Sequence, residues 1–201
     1  MGVNLQKGSA LSDRVKSFNA RGRIFAGIAL LILPILHTFV LHAFEAPLSL
    51  HALLKRVHSA TLFSFYSPQY DYLACPLFGV APLQEPPVGA PCEIAPRRLK
   101  EMAYHARNFT LERLFLEQKY RLGFASNWCF LQDGGELFNA VLVREGYAPV
   151  YPTRLQGTQG ILEELLELQE IAKREKRGLW KEWRAEMECL SSLARERASK
   201  E

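Results

Sequence analysis

The stretch FGVAPLQEP, Phe78 to Pro86, places one acid, Glu85, in a proline-rich turn that follows an apolar run. A carboxylate in such a turn can orient or deprotonate water, or contribute to a cation site. Either chemistry needs partners. Asp71 is the only acid between Glu45 and Glu85, and no Lys or Arg occurs between Val57 and Pro96. The other reactive side chains are Cys75, Cys92, Cys129 and Cys189. None lies in a CxxC pair, and no histidine has zinc-finger spacing to them, which argues against a structural zinc site. A Cys75–Cys92 disulfide across the proline-rich loop is open to the chain if its body faces an oxidising space. Sequence alone does not establish that pairing.

These residues follow an N-terminal region of a different kind. Ile24 to Phe44 is a run of 21 residues without a formal charge. As a helix it would rise about 32 Å, close to the thickness of a bilayer's hydrocarbon core. It is too long for a signal-peptide core, and no small-residue cleavage site follows it. Pro34 is expected to kink the span without breaking it. Arg21 and Arg23 precede the run and Glu45 follows it. The positive-inside rule therefore keeps the N-terminus on the cytosolic or matrix side and carries the body across. Residues 1–23 hold five bases, one acid and three serines, a composition shared by mitochondrial targeting arms and ordinary positive-inside flanks. Gly2 does not read as a myristoylation site, because Gln6 stands where that motif needs Ser or Thr. His37 and His42 lie within the run, about 140° apart on a helix, so they cannot share one ion. A hydrogen bond to a partner helix or to lipid accounts for them better.

The net charge of +4 belongs to this arm. Residues 45–201 carry 20 basic and 20 acidic side chains and have no surplus with which to displace counterions from a phosphate backbone. No nucleic-acid partner is expected, and no cofactor or metal.

The body reads as strands, helix, strands, short helix, strand and long helix. Lys55–Tyr66 and Tyr70–Val80 have strand composition, the latter interrupted by Pro76. Pro96 suits a helix start, continued by Leu99, Met102, Ala103 and Ala106 at helical spacing. Phe109–Tyr120 and Phe124–Leu131 read as strands, and QDGGE, Gln132 to Glu136, as a turn. Leu137–Glu145 reads as a short helix with Gly146 as its cap, and Tyr147–Tyr151 as a short strand. Gly160–Arg177 is an amphipathic helix with Ile161, Leu165, Leu168 and Ala172 on one face, ended by Gly178. Lys181–Glu201 reads as a charged helical tail without a strong apolar face, suited to partners or to solvent. The order is that of an α+β fold around a small barrel.

Two segments make this more specific. Asn139, Leu142, Val143, Gly146 and Ala148 are followed by Gln169, Ala172, Lys173, Gly178, Leu179 and Trp180. In order and spacing they resemble the C-terminal half of the staphylococcal-nuclease-like, or thermonuclease, family. The resemblance implies an OB-like five-stranded barrel with three helices, spanning about Lys55 to Trp180, with Trp180 closing its base. The domains are then a basic arm over 1–23, a transmembrane helix over 24–44, the nuclease-like domain over 45–180 and the tail over 181–201.

The resemblance also gives FGVAPLQEP an identity. The family carries R-x-x-x-(G/V)-(I/V)-D-x-P-E here, for phosphodiester cleavage with calcium. Gly79 and Val80 match the strand end, but Ala81 stands at the metal aspartate, Gln84 at the glutamate and about Pro76 at the arginine. Arg121, in KYRLGFA, is one position away from a second family arginine. Only Glu85 and Arg121 remain as relics, so no catalytic, cofactor-binding or metal residue is named. Degenerate copies of this fold behind one N-terminal span also resemble mitochondrial inner-membrane proteins linked to membrane organisation. The expectation is a non-catalytic, membrane-anchored interaction module whose partners are the bilayer and other subunits of an inner-membrane complex. Its body would lie in the intermembrane space. The alternative is a membrane-tethered calcium-dependent nuclease with a rearranged site.

Overall fold

The structure, a computed structural model, describes residues 48–200. The expected membrane span, the basic arm, His37 and His42 lie outside the described residues. Among the described residues, no helix is long and apolar enough to cross a membrane.

The order is β1 (Leu48–Ser59), β2 (Leu62–Ser67), β3 (Asp71–Pro76), α1 (Pro96–Arg113), β4 (Lys119–Ala125), β5 (Trp128–Asp133), β6 (Glu136–Leu137), α2 (Phe138–Arg144), α3 (Gln159–Glu175), α4 (Leu179–Glu182) and α5 (Arg184–Ala198). The strands form one antiparallel sheet in the order β3-β2-β1-β4-β5-β6. The chain past β3 then meets β5 through a parallel bridge, Leu77 to Cys129, so the sheet folds back on itself. This is an α+β architecture consistent with an OB-like fold.

Alternation sets the strands' faces. On β2, Phe63 and Phe65 point inward and Leu62 outward. On β4, Tyr120 and Leu122 are buried while Lys119 and Arg121 are exposed. A one-residue slip would invert both sets, so burial fixes the register.

The described residues hold six strands and five helices, where a five-stranded barrel with three helices and a helical tail were expected. Four expected elements are corrected. Phe124–Leu131 is not one strand but the β4–β5 hairpin, turning at Ser126 and Asn127. Lys55–Tyr66 is not one strand but a hairpin, turning at Ala60 and Thr61 with Ser59 opposite Leu62. Phe109–Arg113 is not strand but the last turn of α1: Phe109 and Thr110 extend the buried stripe of Leu99, Met102 and Ala106 at spacings of three and four. That stripe outweighs the strand preference of aromatic and β-branched residues. The expected strand at Tyr147–Tyr151 is reduced to one bridge, Val80 to Val150.

The largest departure is at the C-terminus. Arg184–Ala198 is helical, as expected, but it has an apolar face. Met187, Leu190 and Leu193 pack into the main core at 0%, 5% and 5% exposure, far too deep for a solvated tail. Burying each such side chain contributes about 1.5–3 kcal/mol.

The disulfides are Cys75–Cys129 and Cys92–Cys189, so the Cys75–Cys92 pairing is overturned. Topology decides this. β3 and β5 meet at the seam where the sheet folds back, which sets Cys75 beside Cys129. The proline-rich loop runs to α5, which sets Cys92 beside Cys189.

Candidate functional site

The segment Phe78–Glu85 leaves the seam between β3 and β5. Phe78 N–H donates to the Cys129 carbonyl (2.9 Å), Ala81 N–H to Pro149 (2.8 Å) and Tyr151 N–H to Gly79 (3.0 Å). Gly79 has φ +70°, and a Cβ there would lie 2.5 Å from Leu165 Cδ1 of α3. The position therefore requires both the conformation and the small size of glycine.

Asn139, at the start of α2, holds the turn from beneath. It is fully buried. Its Nδ2 donates to the Phe78 carbonyl at 2.9 Å and to Cys129 at 3.1 Å, and its Oδ1 accepts the Leu131 N–H at 3.2 Å. One side chain thus joins the turn, β5 and α2. Gln169 acts similarly from α3, its Oε1 accepting the Val150 N–H at 2.8 Å.

At the outer side of the turn Ala81 is covered, while Pro82 and Gln84 are exposed. Ala81, Tyr151 and Ala194 form a small apolar cluster with Trp128 and Ala198 packed against it. Between the turn and α5 remains a space of about 20 Å³, lined by Ala81, Pro82, Gln84, Tyr151, Leu190, Leu193, Ala194 and Arg197. That is room for about one water molecule. Helix α5 thus packs over Ala81, while Pro82, Gln84 and Glu85 remain exposed.

Glu85 and Arg121 are not brought together. Glu85 is exposed in the loop beyond the turn. Arg121 is exposed on β4, opposite His51 of β1, and its Nε donates to Ser49 Oγ at 2.9 Å. Among the described residues no ion pair joins them. Calcium needs six to eight oxygen donors. The turn offers it the methyl group of Ala81 inside an apolar cluster, so the residues present do not fit that ion. Among the described residues there is also no group of three or more His, Cys, Asp or Glu placed to hold a metal.

A second concavity, of about 440 Å³, opens on the outer face of α1 between Arg97, Lys100, Glu101, Tyr104 and His105. Arg97 Nε is bonded to Glu101 at 3.1 Å, and the His105 ring packs on Trp183. Its cations are partly neutralised by Glu101.

The remaining motif residues do structural work. A Cβ on Gly178, which has φ +49°, would lie 2.3 Å from the Glu145 carbonyl oxygen, and Leu179 N–H donates to the Gly146 carbonyl at 2.9 Å. Gly178 was expected to end the long helix. That helix ends instead at Lys176, in the left-handed conformation, and Gly178 permits the close crossing of two backbones. Trp180 is 1% exposed, as expected, with Lys173 Nζ 5.2 Å from its ring centre. Near the same junction the Arg144 guanidinium is held above its usual range by its hydrogen bond to Glu136.

Comparison with known proteins agrees with this geometry. Residues 95–182, from α1 to α4, match the family model described as staphylococcal nuclease homologue. No curated protein matches the chain.

Proposed function

We propose, from the premise that residues 95–182 form a staphylococcal-nuclease-like domain, that the chain is a non-catalytic interaction module. In this reading Ile24–Phe44 anchors it in a membrane, and it serves as an accessory or organising subunit of a mitochondrial inner-membrane complex. The observation that supports the non-catalytic reading best is the burial of Ala81 against Tyr151 and Ala194 beneath α5. Phosphodiester hydrolysis needs a water-activating carboxylate and cationic or metal stabilisation of developing charge within one open site. Here Ala81 is apolar and covered, Glu85 is exposed and Arg121 is tied to Ser49 on the sheet. The balanced charge of residues 45–201 adds no attraction for nucleic acid.

The two disulfides fit an oxidising space outside the matrix and cytosol, in keeping with the orientation set by Arg21 and Arg23. The test is cross-linking of the full chain in intact organelles, followed by mild detergent extraction and separation by size. The proposal expects discrete cross-linked species with other membrane subunits. A chain that behaves only as a monomer in its micelle overturns it.

A further inference from the structure

The two disulfides differ in what surrounds them. Cys75 and Cys129 are both fully buried. They lie in the seam that closes the sheet, where the Cys129 carbonyl also accepts bonds from Phe78 N–H and Asn139 Nδ2. A thiol can reach this pair only if the seam opens. Cys92, by contrast, is partly buried in the loop without regular structure between Val80 and α1, and its neighbours Pro91 and Glu93 are exposed. Its partner Cys189 is 8% exposed on α5. Exchange requires in-line approach of a thiolate to one sulfur, so access decides which bond reacts.

We propose that Cys92–Cys189 is an exchangeable disulfide, a thiol-modification site at which a dithiol reductant unties the proline-rich loop from α5 while Cys75–Cys129 stays closed. The reductant's thiolate attacks Cys92 Sγ, forming a mixed disulfide as the Cys92–Cys189 bond breaks. Cys189 leaves as a thiolate and takes up a proton. The second thiol of the reductant then attacks the mixed disulfide. It forms the reductant's own internal disulfide and releases Cys92 as a thiolate. Two electrons pass from reductant to protein, and an oxidised partner of the same class reverses the sequence.

The change is local. Met187, Leu190 and Leu193 still anchor α5 in the core, and Arg98 still meets Glu186 at 2.8 Å. What is released is the loop from Pro82 to Ala95, which gains freedom while α5 stays in place.

The experiment uses the full chain in detergent micelles, treated with graded dithiothreitol, alkylated, and read by peptide mass spectrometry. Cys92 and Cys189 are expected to label together at dithiothreitol exposures at least tenfold below those that label Cys75 and Cys129. Simultaneous labelling of all four, or earlier labelling of Cys75 and Cys129, overturns the proposal. This order is read on the wild-type chain and so decides the matter whether or not variants fold. Amide exchange is the second measurement. A Cys92→Ser/Cys189→Ser chain should exchange at least tenfold faster than the oxidised wild type at the hydrogen-bonded amides of residues 83–95, with α5, β3 and β5 unchanged. Equal rates in the two chains also overturn it.

Discussion

Asn139 Nδ2 donates to the Phe78 carbonyl at 2.9 Å across 61 residues of sequence, and this bond ties the first turn of α2 to the segment that leaves the sheet's seam. The same amide also bonds Cys129 and Leu131, so one buried side chain serves three backbone groups. Asn139→Ala leaves the Leu131 N–H and the Phe78 carbonyl without this partner. The expected loss is about 2–4 kcal/mol of folding stability, read as a lower urea midpoint at unchanged slope. A loss under about 0.5 kcal/mol would mean the network is not holding the turn.

Gly178 and Gly157 both have positive φ, but only Gly178 is crowded. Gly157→Ala carries the conformational penalty alone, about 1 kcal/mol. Gly178→Ala adds a Cβ 2.3 Å from the Glu145 carbonyl and must force two backbones apart. Its cost is expected to exceed that of Gly157→Ala at least twofold. Thermal unfolding of the two variants side by side checks this, and equal costs would contradict the close crossing.

The role of α5 separates an integral helix from a solvated tail. Leu190→Ala is expected to cost about 2–5 kcal/mol, as in a packed core. A tail would lose less than about 0.5 kcal/mol. Denaturant titration of the full chain in micelles distinguishes the two.

Much of this was legible in the sequence, and what was not has physical reasons. The face of α3 follows from spacings of three and four, the short helix α2 from its run and the Gly146 cap, and the burial of Trp180 from the family resemblance. Phe109 and Thr110 were misleading because strand preference describes a half-buried pleat, whereas here tertiary packing extends a helical stripe. In α5, Arg184, Glu188, Arg195 and Glu196 occupy the exposed side, and their number hid the apolar face formed by Met187, Leu190, Leu193 and Ala194. The disulfide partners were hidden because pairing depends on which strands close the seam, and this is set by contacts far apart in sequence. At the candidate site, the resemblance placed Ala81 where the family carries an aspartate. That α5 packs over Ala81 was not legible, since no local pattern encodes which surface a terminal helix will meet.

Glu164 on α3 gives a pH signature. Burial, with the nearby Glu167 adding to it, raises its carboxyl above the ordinary range near 4.5. The folded state therefore binds its proton more tightly than the unfolded state does. Stability from this group is fully present below the ordinary value and is lost as pH rises through the raised one. Glu164→Gln removes that dependence. Relative to wild type, the variant is expected to gain stability as pH rises from about 4 towards 7, in urea titrations at matched ionic strength. A difference between the chains that stays flat across this range would contradict the shift.

The most direct test of the account is cleavage. The wild-type chain and a Glu85→Ala/Arg121→Ala chain are incubated with single-stranded DNA and with RNA in calcium. Removing one catalytic carboxylate or cationic donor typically lowers a rate by a factor of about a hundred or more. Neither chain is expected to cleave above the protein-free control. Calcium-dependent cleavage by the wild type that the double variant lacks would contradict it, and would make the loop beyond Ala81 the border of a working site.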